Sequence, residues 1–220
     1  MEGSIETGTY LHTKSGKLYE VIGTALQTET NEQQVIYKPL YKNEQKLFAR
    51  PLSMFTGTVE IDGLKVDRFE KVSDGFAGFF LDGWYVFDNF APFSIRHDNK
   101  YYPTAEHLFQ SLKYINTAPG IAEKIRTMSS PADVFEYTRD AKLKSLREPN
   151  WDEVKVQNME MIIRLKYEQH SFIQKVLKES GSLEIIEMNN NDSFWGWGKD
   201  YSGRNELGKI WMRIRDEVDA

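Results

Sequence analysis

Near its first third the chain reads Lys71-Val72-Ser73-Asp74-Gly75-Phe76-Ala77-Gly78, and its character changes there. Upstream, strand signals dominate: Leu18-Tyr19-Glu20-Val21-Ile22-Gly23, Gln34-Val35-Ile36-Tyr37, and Val59-Glu60-Ile61 turning through Asp62-Gly63 into Leu64-Lys65-Val66. Such β-branched and aromatic runs, bounded by glycine and polar residues, suit a pleated, half-buried surface. Downstream, after a few short strand-like pieces, apolar residues recur at helical spacing. The boundary is therefore expected near Val72. Residues 1–72 read as a small β-barrel or curled sheet, and residues 73–220 as a mostly helical α+β domain.

Composition bounds the class. A chain of 220 residues with 40% hydrophobic content can bury real cores. No apolar run is long enough to span a bilayer, and Met1-Glu2-Gly3-Ser4 opens no signal peptide, so a cytoplasmic protein without membrane contact is expected. The absence of cysteine excludes disulfides, thiolate catalysis and zinc fingers, and the four histidines are scattered. Neither a metal nor another cofactor is expected. A net charge of −5 argues against broad non-specific nucleic-acid binding by the whole chain. No fixed-period repeat points to a solenoid.

In the larger part, Pro103-Thr104 introduces a helix with Thr104 as its cap and Leu108, Phe109, Leu112 and Ile115 along its apolar face. Ser130-Pro131 opens another. Asn150 is placed to cap a long helix, renewed at Ser171 by a capping box with Gln174 and ending near Ser180-Gly181. Limited sheet is expected from Trp84 to Phe87, from a hairpin around Asp98-Asn99, and from Leu183 to Ile186.

The segment Asp192-Ser-Phe-Trp-Gly-Trp-Gly-Lys-Asp-Tyr-Ser-Gly-Arg-Asn-Glu-Leu-Gly-Lys209 has the make-up of a nucleotide or sugar-phosphate site. Gly196, Gly198 and Gly203 permit close backbone approach, and Phe194, Trp195 and Trp197 offer flat faces. Asn205 stands where a helix should start, so its side chain can cap that helix while free N–H groups meet phosphate. A glycine- and tryptophan-rich turn that merely docks a C-terminal helix fits the composition equally well.

Glu106, Gln110 and Lys113 stand at i, i+4 and i+7 and share one helical face. A charged stripe of this kind is usually solvated. An acid in the first turn also complements the helix dipole, which would favour an ionised Glu106. Trp151-Asp152 reads as a core anchor followed by a dipole acid, and Asp192 as a residue that can bind turn backbone.

Several segments together resemble the NADAR family: Phe87-Asp88-Asn89-Phe90-Ala91-Pro92, Pro103 to Gln110 with Lys113, Asn150-Trp151-Asp152, Lys166-Tyr167-Glu168-Gln169, and Asp192 to Gly208. Their order and spacing match over about Gly78 to Asp219. The family includes N-glycosidases of riboflavin-biosynthesis intermediates, with ADP-ribosylated guanine as another substrate class. The resemblance implies hydrolysis of a bond between ribose C1 and an exocyclic amine, on ADP-ribosylated guanine or a phosphorylated ribosylamine. It implies catalytic roles for Glu106 on the ribose side, Asp192 as general acid/base or positioning group, and Trp151 as an aromatic wall. Lys113 offers a rival route through a Schiff base. Asn89, Phe90, Trp195, Gly196, Gly198 and Asn205 would bind substrate. Asp88, Ala105 and the stretch from Thr138 to Glu148 depart from the usual pattern, which bears on the choice of base rather than on the catalytic set. A non-catalytic ADP-ribose reader would need the same loop and aromatics but no carboxylate pair.

The N-terminal part also resembles a small bacterial β-rich family of uncharacterised function, through Gly8 to His12, Leu18 to Gly23, Thr28-Glu29-Thr30 and Arg50 to Phe55. Tyr37, Lys38, Tyr41, Lys42, Lys46, Phe48 and Arg50 interleave rings and cations, a pattern that suits nucleic-acid contact. Core aromatics beside solvated lysines give the same pattern.

Overall fold

The structure is a computed structural model that describes residues 5–41, 43–61, 63–73, 75–79 and 83–218. Met1 to Ser4, Lys42, Asp62, Asp74 and Asp219, which figure in the reading above, lie outside the described residues. Two compact units divide the chain, Met1–Phe76 and Ala77–Ala220.

In the first unit, strands β1 (Gly8–His12), β2 (Lys17–Gln27), β3 (Glu32–Pro39) and β4 (Phe48–Pro51) lead into a single helical turn, α1 (Leu52–Phe55). A hairpin of β5 (Thr58–Ile61) and β6 (Leu64–Asp67) follows, and then β7 (Phe69–Ser73). The sheet runs β4-β3-β2-β1-β7, every pair antiparallel. No ladder joins β4 to β7 among the described residues, so the expected barrel is an open, curled sheet. β4 is short and ends at Pro51, which has no N–H to extend a ladder before the chain turns into α1. Tyr10, Val21, Val35, Tyr37, Phe55 and Phe69 form its core, with Phe55 and Phe69 stacked at 4.0 Å.

Strand β8 (Phe76–Gly78), paired with a later strand, starts at the last residue of the first unit and runs into the second, where a 3-10 turn over Tyr85–Phe87 follows. That turn replaces the strand expected from Trp84 to Phe87. Phe87 N and Asp88 N donate back to Trp84 O and Tyr85 O, each at 3.0 Å, and Val86 and Phe87 are both buried, which the alternation of a half-exposed strand does not allow. The hairpin β9 (Ile95–His97) and β10 (Lys100–Tyr102) turns through Asp98 and Asn99, at φ 47° and 60°, as a primed turn requires.

Helices α2 (Ala105–Leu112), α3 (Pro119–Arg126), α4 (Pro131–Thr138), α5 (Ala141–Lys144), α6 (Trp151–Gln169) and α7 (Ser171–Glu179) follow, then β11 (Glu184–Ile186), the partner of β8, and α8 (Glu206–Val218). Thr104 and Ser130 accept from His107 N and Asp133 N as helix caps. Asn150 makes no side-chain cap: at φ −95°, ψ 16° it lacks the extended conformation from which the side chain reaches back. The expected box at Ser171 is also absent. His170 flanks that helix, and Gln174 Nε2 donates to Tyr167 O at 3.1 Å, fixing the break between α6 and α7.

α6 anchors the core. Met159, Ile162 and Ile163 pack with Leu108 and Phe109 of α2, Ile173 and Leu177 of α7, and Ile210, Trp211 and Ile214 of α8. No helix among the described residues is long and apolar enough to cross a membrane.

Candidate active site

Helix α2 is buried from Ala105 through Ser111, so the face carrying Glu106 and Gln110 is not the solvated stripe that periodicity suggests. Glu106 and Gln110 are each only 5% exposed. Gln110 Nε2 donates to Glu106 Oε1 at 2.7 Å, which leaves Gln110 Oε1 buried with no protein partner among the described residues. Burial raises the Glu106 carboxyl to about 7, against the Gln110 hydrogen bond and the charge of Lys113, with Asp88 adding to the rise. Burial is the largest influence on this carboxyl and acts against the ionised form that the helix dipole would favour. Lys113, just past the end of α2, lies over the rings of Phe109 and Trp151, at 5.1 and 5.7 Å from the ring centroids. Burial lowers its ammonium to about 8, with Glu106 opposing.

The turn before β9 supplies the second wall. Lys166, fully buried in α6, donates to Val86 O and Asp88 O at 2.7 Å each, and Trp211 Nε1 donates to Phe87 O at 3.0 Å. Asp88 Oδ1 accepts from Phe90 N at 2.6 Å, and Asn89 O accepts from Glu106 N at 3.1 Å. Three carbonyls of one short turn are thus held by side chains from distant helices, and Asn89 and Phe90 are presented beside Glu106. Asn89 Nδ2 meets Met159 Sδ at 3.4 Å, while its Oδ1 is buried without a protein partner among the described residues. Phe90 makes an edge contact with Phe135 of α4 at 6.2 Å.

The third wall is the loop between β11 and α8. Asp192 Oδ1 accepts from Phe194 N and Trp195 N, both at 2.8 Å, and this turn sets Trp195 edge-on to Phe109 at 5.6 Å. The two readings of Asp192 coexist: one oxygen orders the turn while the residue also lines the pocket.

Asp88, Asn89, Phe90, Glu106, Phe109, Gln110, Lys113, Phe135, Met159, Glu187, Asn189, Asp192, Trp195 and Leu207 surround a cavity of about 430 Å³. Glu106, Lys113, Asp192, Asn89, Phe90 and Trp195 all line this one cavity. Trp151 is not among the lining residues. It is buried behind Phe109 at 5.1 Å and supports the wall rather than forming it.

Gly196, Gly198 and Asn205 do not line the pocket either. A Cβ on Gly196 would come within 2.7 Å of Glu187 O, and one on Gly203 within 2.4 Å of Gly196 O, so these glycines let the loop pack on itself. Gly198 adopts φ 70°. Asn205, at φ 50°, lays its side chain across Gly208 of α8 and spends its polar atoms on the segment after Leu183: Oδ1 accepts from Glu187 N at 3.0 Å and Nδ2 donates to Ile185 O at 2.9 Å. The expected side-chain cap is instead a clamp on β11, because those strand groups need partners and Asn205 is the side chain that reaches them.

Glu187, Asn189, Phe135, Met159 and Leu207 escaped the sequence reading. Glu187 follows Leu183-Glu184-Ile185-Ile186, and an acid at the end of a buried strand was the available signal. Burial, together with the charges of Asp192, Asp88 and Glu106, raises its carboxyl to about 8 against a hydrogen bond from Asn189.

In the first unit, Tyr37 is 4% exposed and Phe48 stacks on it at 5.7 Å, while Tyr19 bonds Tyr41 through their hydroxyls at 2.8 Å. Of the alternating aromatic and basic strip, Tyr37 and Phe48 thus pack on each other and Tyr41 packs on Tyr19 of β2.

Residues 70–219 match the family described as the NADAR domain, and residues 8–71 match one described as a protein of unknown function, DUF1653. The chain belongs to the NADAR family. Its NADAR domain is 36% identical over 137 residues to the N-glycosidase YbiA of Escherichia coli strain K12, aligning 62% of this chain with 83% of that protein. It is 32% identical over 130 residues to a riboflavin biosynthesis protein of Vibrio vulnificus, aligning 59% of this chain with 34% of that longer protein. The solved NMR structure of E. coli YbiA superposes with a TM-score of 0.58 at 33% identity, covering 64% of this chain and 83% of YbiA. The pocket lies within the NADAR domain, whose relatives include named N-glycosidases.

Proposed function

We propose that the second unit hydrolyses the N-glycosidic bond between ribose C1 and an exocyclic amine, with ADP-ribosylated guanine as substrate. The carrying observation is that Glu106 and Lys113 from the α2 segment and Asp192 from the loop before α8 line one pocket in which Asn89 Oδ1 and Gln110 Oε1 are buried without protein partners among the described residues. Unpartnered buried acceptors cost stability in a core and gain partners when a ligand carrying hydroxyl or amine donors enters. The Phe90, Phe109, Phe135 and Trp195 rings supply apolar surface for a base.

Cleavage places positive charge on C1, and a carboxylate facing it stabilises that charge. Glu106 takes this role. It is poised between forms near neutrality, so it can also accept a proton from attacking water. Asp192 positions the substrate through the oxygen its turn leaves over. Lys113, with its lowered ammonium, serves either as a charge partner of Glu106 or as an amine that captures C1. A non-catalytic ADP-ribose reader has no need of the desolvated carboxyls that this pocket holds, which favours the enzyme.

A second reading, hydrolysis of a phosphorylated ribosylamine on the route to riboflavin, is supported by the name of the Vibrio vulnificus relative. Incubating the purified protein with ADP-ribosylated guanine and with a phosphorylated ribosylaminopyrimidine, followed by mass spectrometry of the released base and sugar, separates the two. Release of guanine and ADP-ribose supports the first reading. Turnover of the pyrimidine alone moves the assignment to the second, and no turnover of either rejects both.

A further inference from the structure

Of the four carboxyl groups that line the pocket, Glu106, Asp192 and Glu187 differ in what surrounds them. Glu106 is bonded by Gln110 and faces Lys113. Asp192 spends one oxygen on two backbone N–H groups. Glu187 has no cation among the groups that act on it, and its Oε2 is buried without a protein hydrogen-bond partner among the described residues. Its backbone is nevertheless fixed on both sides: Glu187 N donates to Asn205 Oδ1 at 3.0 Å, and Glu187 O accepts from Trp197 N at 3.1 Å. The packing of Gly196 against Glu187 O closes the same knot. An acid that lines the pocket on a fixed backbone, with one carboxyl oxygen unbonded among the described residues, is arranged for a group that arrives with the substrate.

We propose that Glu187 is the proton donor to the departing amine, an assignment that rests on the glycosidase reading above. As the bond between ribose C1 and the exocyclic nitrogen breaks, its electron pair goes to nitrogen, which takes the proton from Glu187 Oε2. Water oxygen bonds to C1 and water gives up a proton to the Glu106 carboxylate. Return of that proton to Glu187 through solvent restores both groups, and the net reaction is addition of water across the bond. The neutral form needed for donation is the one favoured by its surroundings. Asp192, Asp88 and Glu106 all oppose ionisation of Glu187, as does burial, and only the Asn189 hydrogen bond works the other way. Four acids around one pocket cannot all ionise cheaply, and the one without a cation or backbone donor is the one that keeps its proton.

The test is kinetic. In Glu187→Gln, kcat on the ribosylamine substrate should fall by about 10²–10³-fold, while KM changes by less than about threefold. The Glu187 carboxyl and the Lys113 ammonium both titrate near about 8, so the alkaline limb of the wild-type kcat profile should lose the carboxyl's share and change shape in this variant. Glu187→Asp keeps the acid but shortens its reach, so it should retain an alkaline limb at reduced kcat. Substrates whose amines leave more readily should lose less in Glu187→Gln. The tryptophan fluorescence of both variants checks that they are folded, and in the wild type the infrared carbonyl stretch of a protonated carboxyl, absent from Glu187→Gln, reports the neutral acid without any turnover.

An active wild type whose Glu187→Gln variant keeps kcat within about threefold overturns the assignment while leaving the glycosidase reading intact. A wild type inert toward every ribosylamine overturns the glycosidase reading and this role with it.

Discussion

The two units spend their aromatic residues differently. In the first, Tyr10, Tyr37, Phe55 and Phe69 close ring against ring into a core, and Thr9 is the one polar residue among the described residues there that is classed with the buried set. In the second, Phe90, Phe109, Phe135 and Trp195 stop short of closing and leave a cavity into which carboxyl and amide groups project their cost. Its buried set includes Asn89, Glu106, His107, Gln110, Lys166, Asn205 and Arg215. Rings alone therefore do not distinguish a core from a site. Buried ionisable groups do, because removing them from water is unfavourable unless the fold or a ligand compensates.

The largest effect that would test this contrast is catalytic. Glu106→Gln keeps size and much of the hydrogen bonding, so turnover should fall by about 10²–10⁴-fold with the unit still folded, as followed by kcat and circular dichroism. A variant with wild-type kcat would return Glu106 to the status of a buried structural acid.

Next comes Lys166, the buried cation that bonds Val86 O and Asp88 O. Lys166→Met should destabilise the second unit by about 1–3 kcal/mol, because two carbonyls lose their donors, and should raise KM by loosening the Asn89 turn. All five tryptophans lie at positions 84 to 211, so tryptophan fluorescence in urea follows this unit alone. A change confined to stability, with KM unmoved, would make Lys166 purely a core residue.

A third, smaller effect is the pH dependence of stability. In the folded protein Glu106 titrates at about 7 and Glu187 at about 8, above the 4.5 of an ordinary glutamate. Each therefore contributes stability that is fully present below pH 4.5 and is lost as pH rises through about 7 to 8. Lys166 acts with the opposite slope, since its folded value is lowered from 10.5 to about 7 and stability recovers between those values. Relative to wild type, Glu106→Gln should gain about 1–3 kcal/mol on going from acid to slightly alkaline pH. A gap between the two proteins that does not vary with pH would show that Glu106 is less buried than its surroundings indicate.

The smallest expected effect is on removing the first unit. A chain starting at Ser73 keeps β8 and the whole pocket, so its kcat/KM on a small substrate should stay within about threefold of the full chain. Loss of cooperative unfolding in that fragment would break the comparison at its root, since it would mean the two cores are one.

Parts of both fold and site were legible because their signals are local. The turn at Asp98-Asn99, the caps at Thr104 and Ser130, and the strand ending at Ile186 depend on backbone dihedrals and on bonds spanning three residues or so. The change of character beside Val72 is likewise a matter of neighbouring periodicity. Asn150 and Asn205 were misread for a related reason: an asparagine beside a helix can cap it or bond elsewhere, and only the surrounding chain decides.

By itself the sequence determined where strands give way to helices, and it placed Glu106, Lys113 and Asp192 in segments with recognisable chemistry. Tertiary structure alone decided that the Glu106 face of α2 is buried, that Glu187 joins it, and that Gly196, Gly203 and Asn205 serve the loop's own packing. The physical reason is that a residue's solvation, and hence its proton affinity, is set by whatever the fold brings against it. For Glu187 those neighbours include Asp88 and Glu106, which lie far back along the chain and beyond the reach of any local pattern.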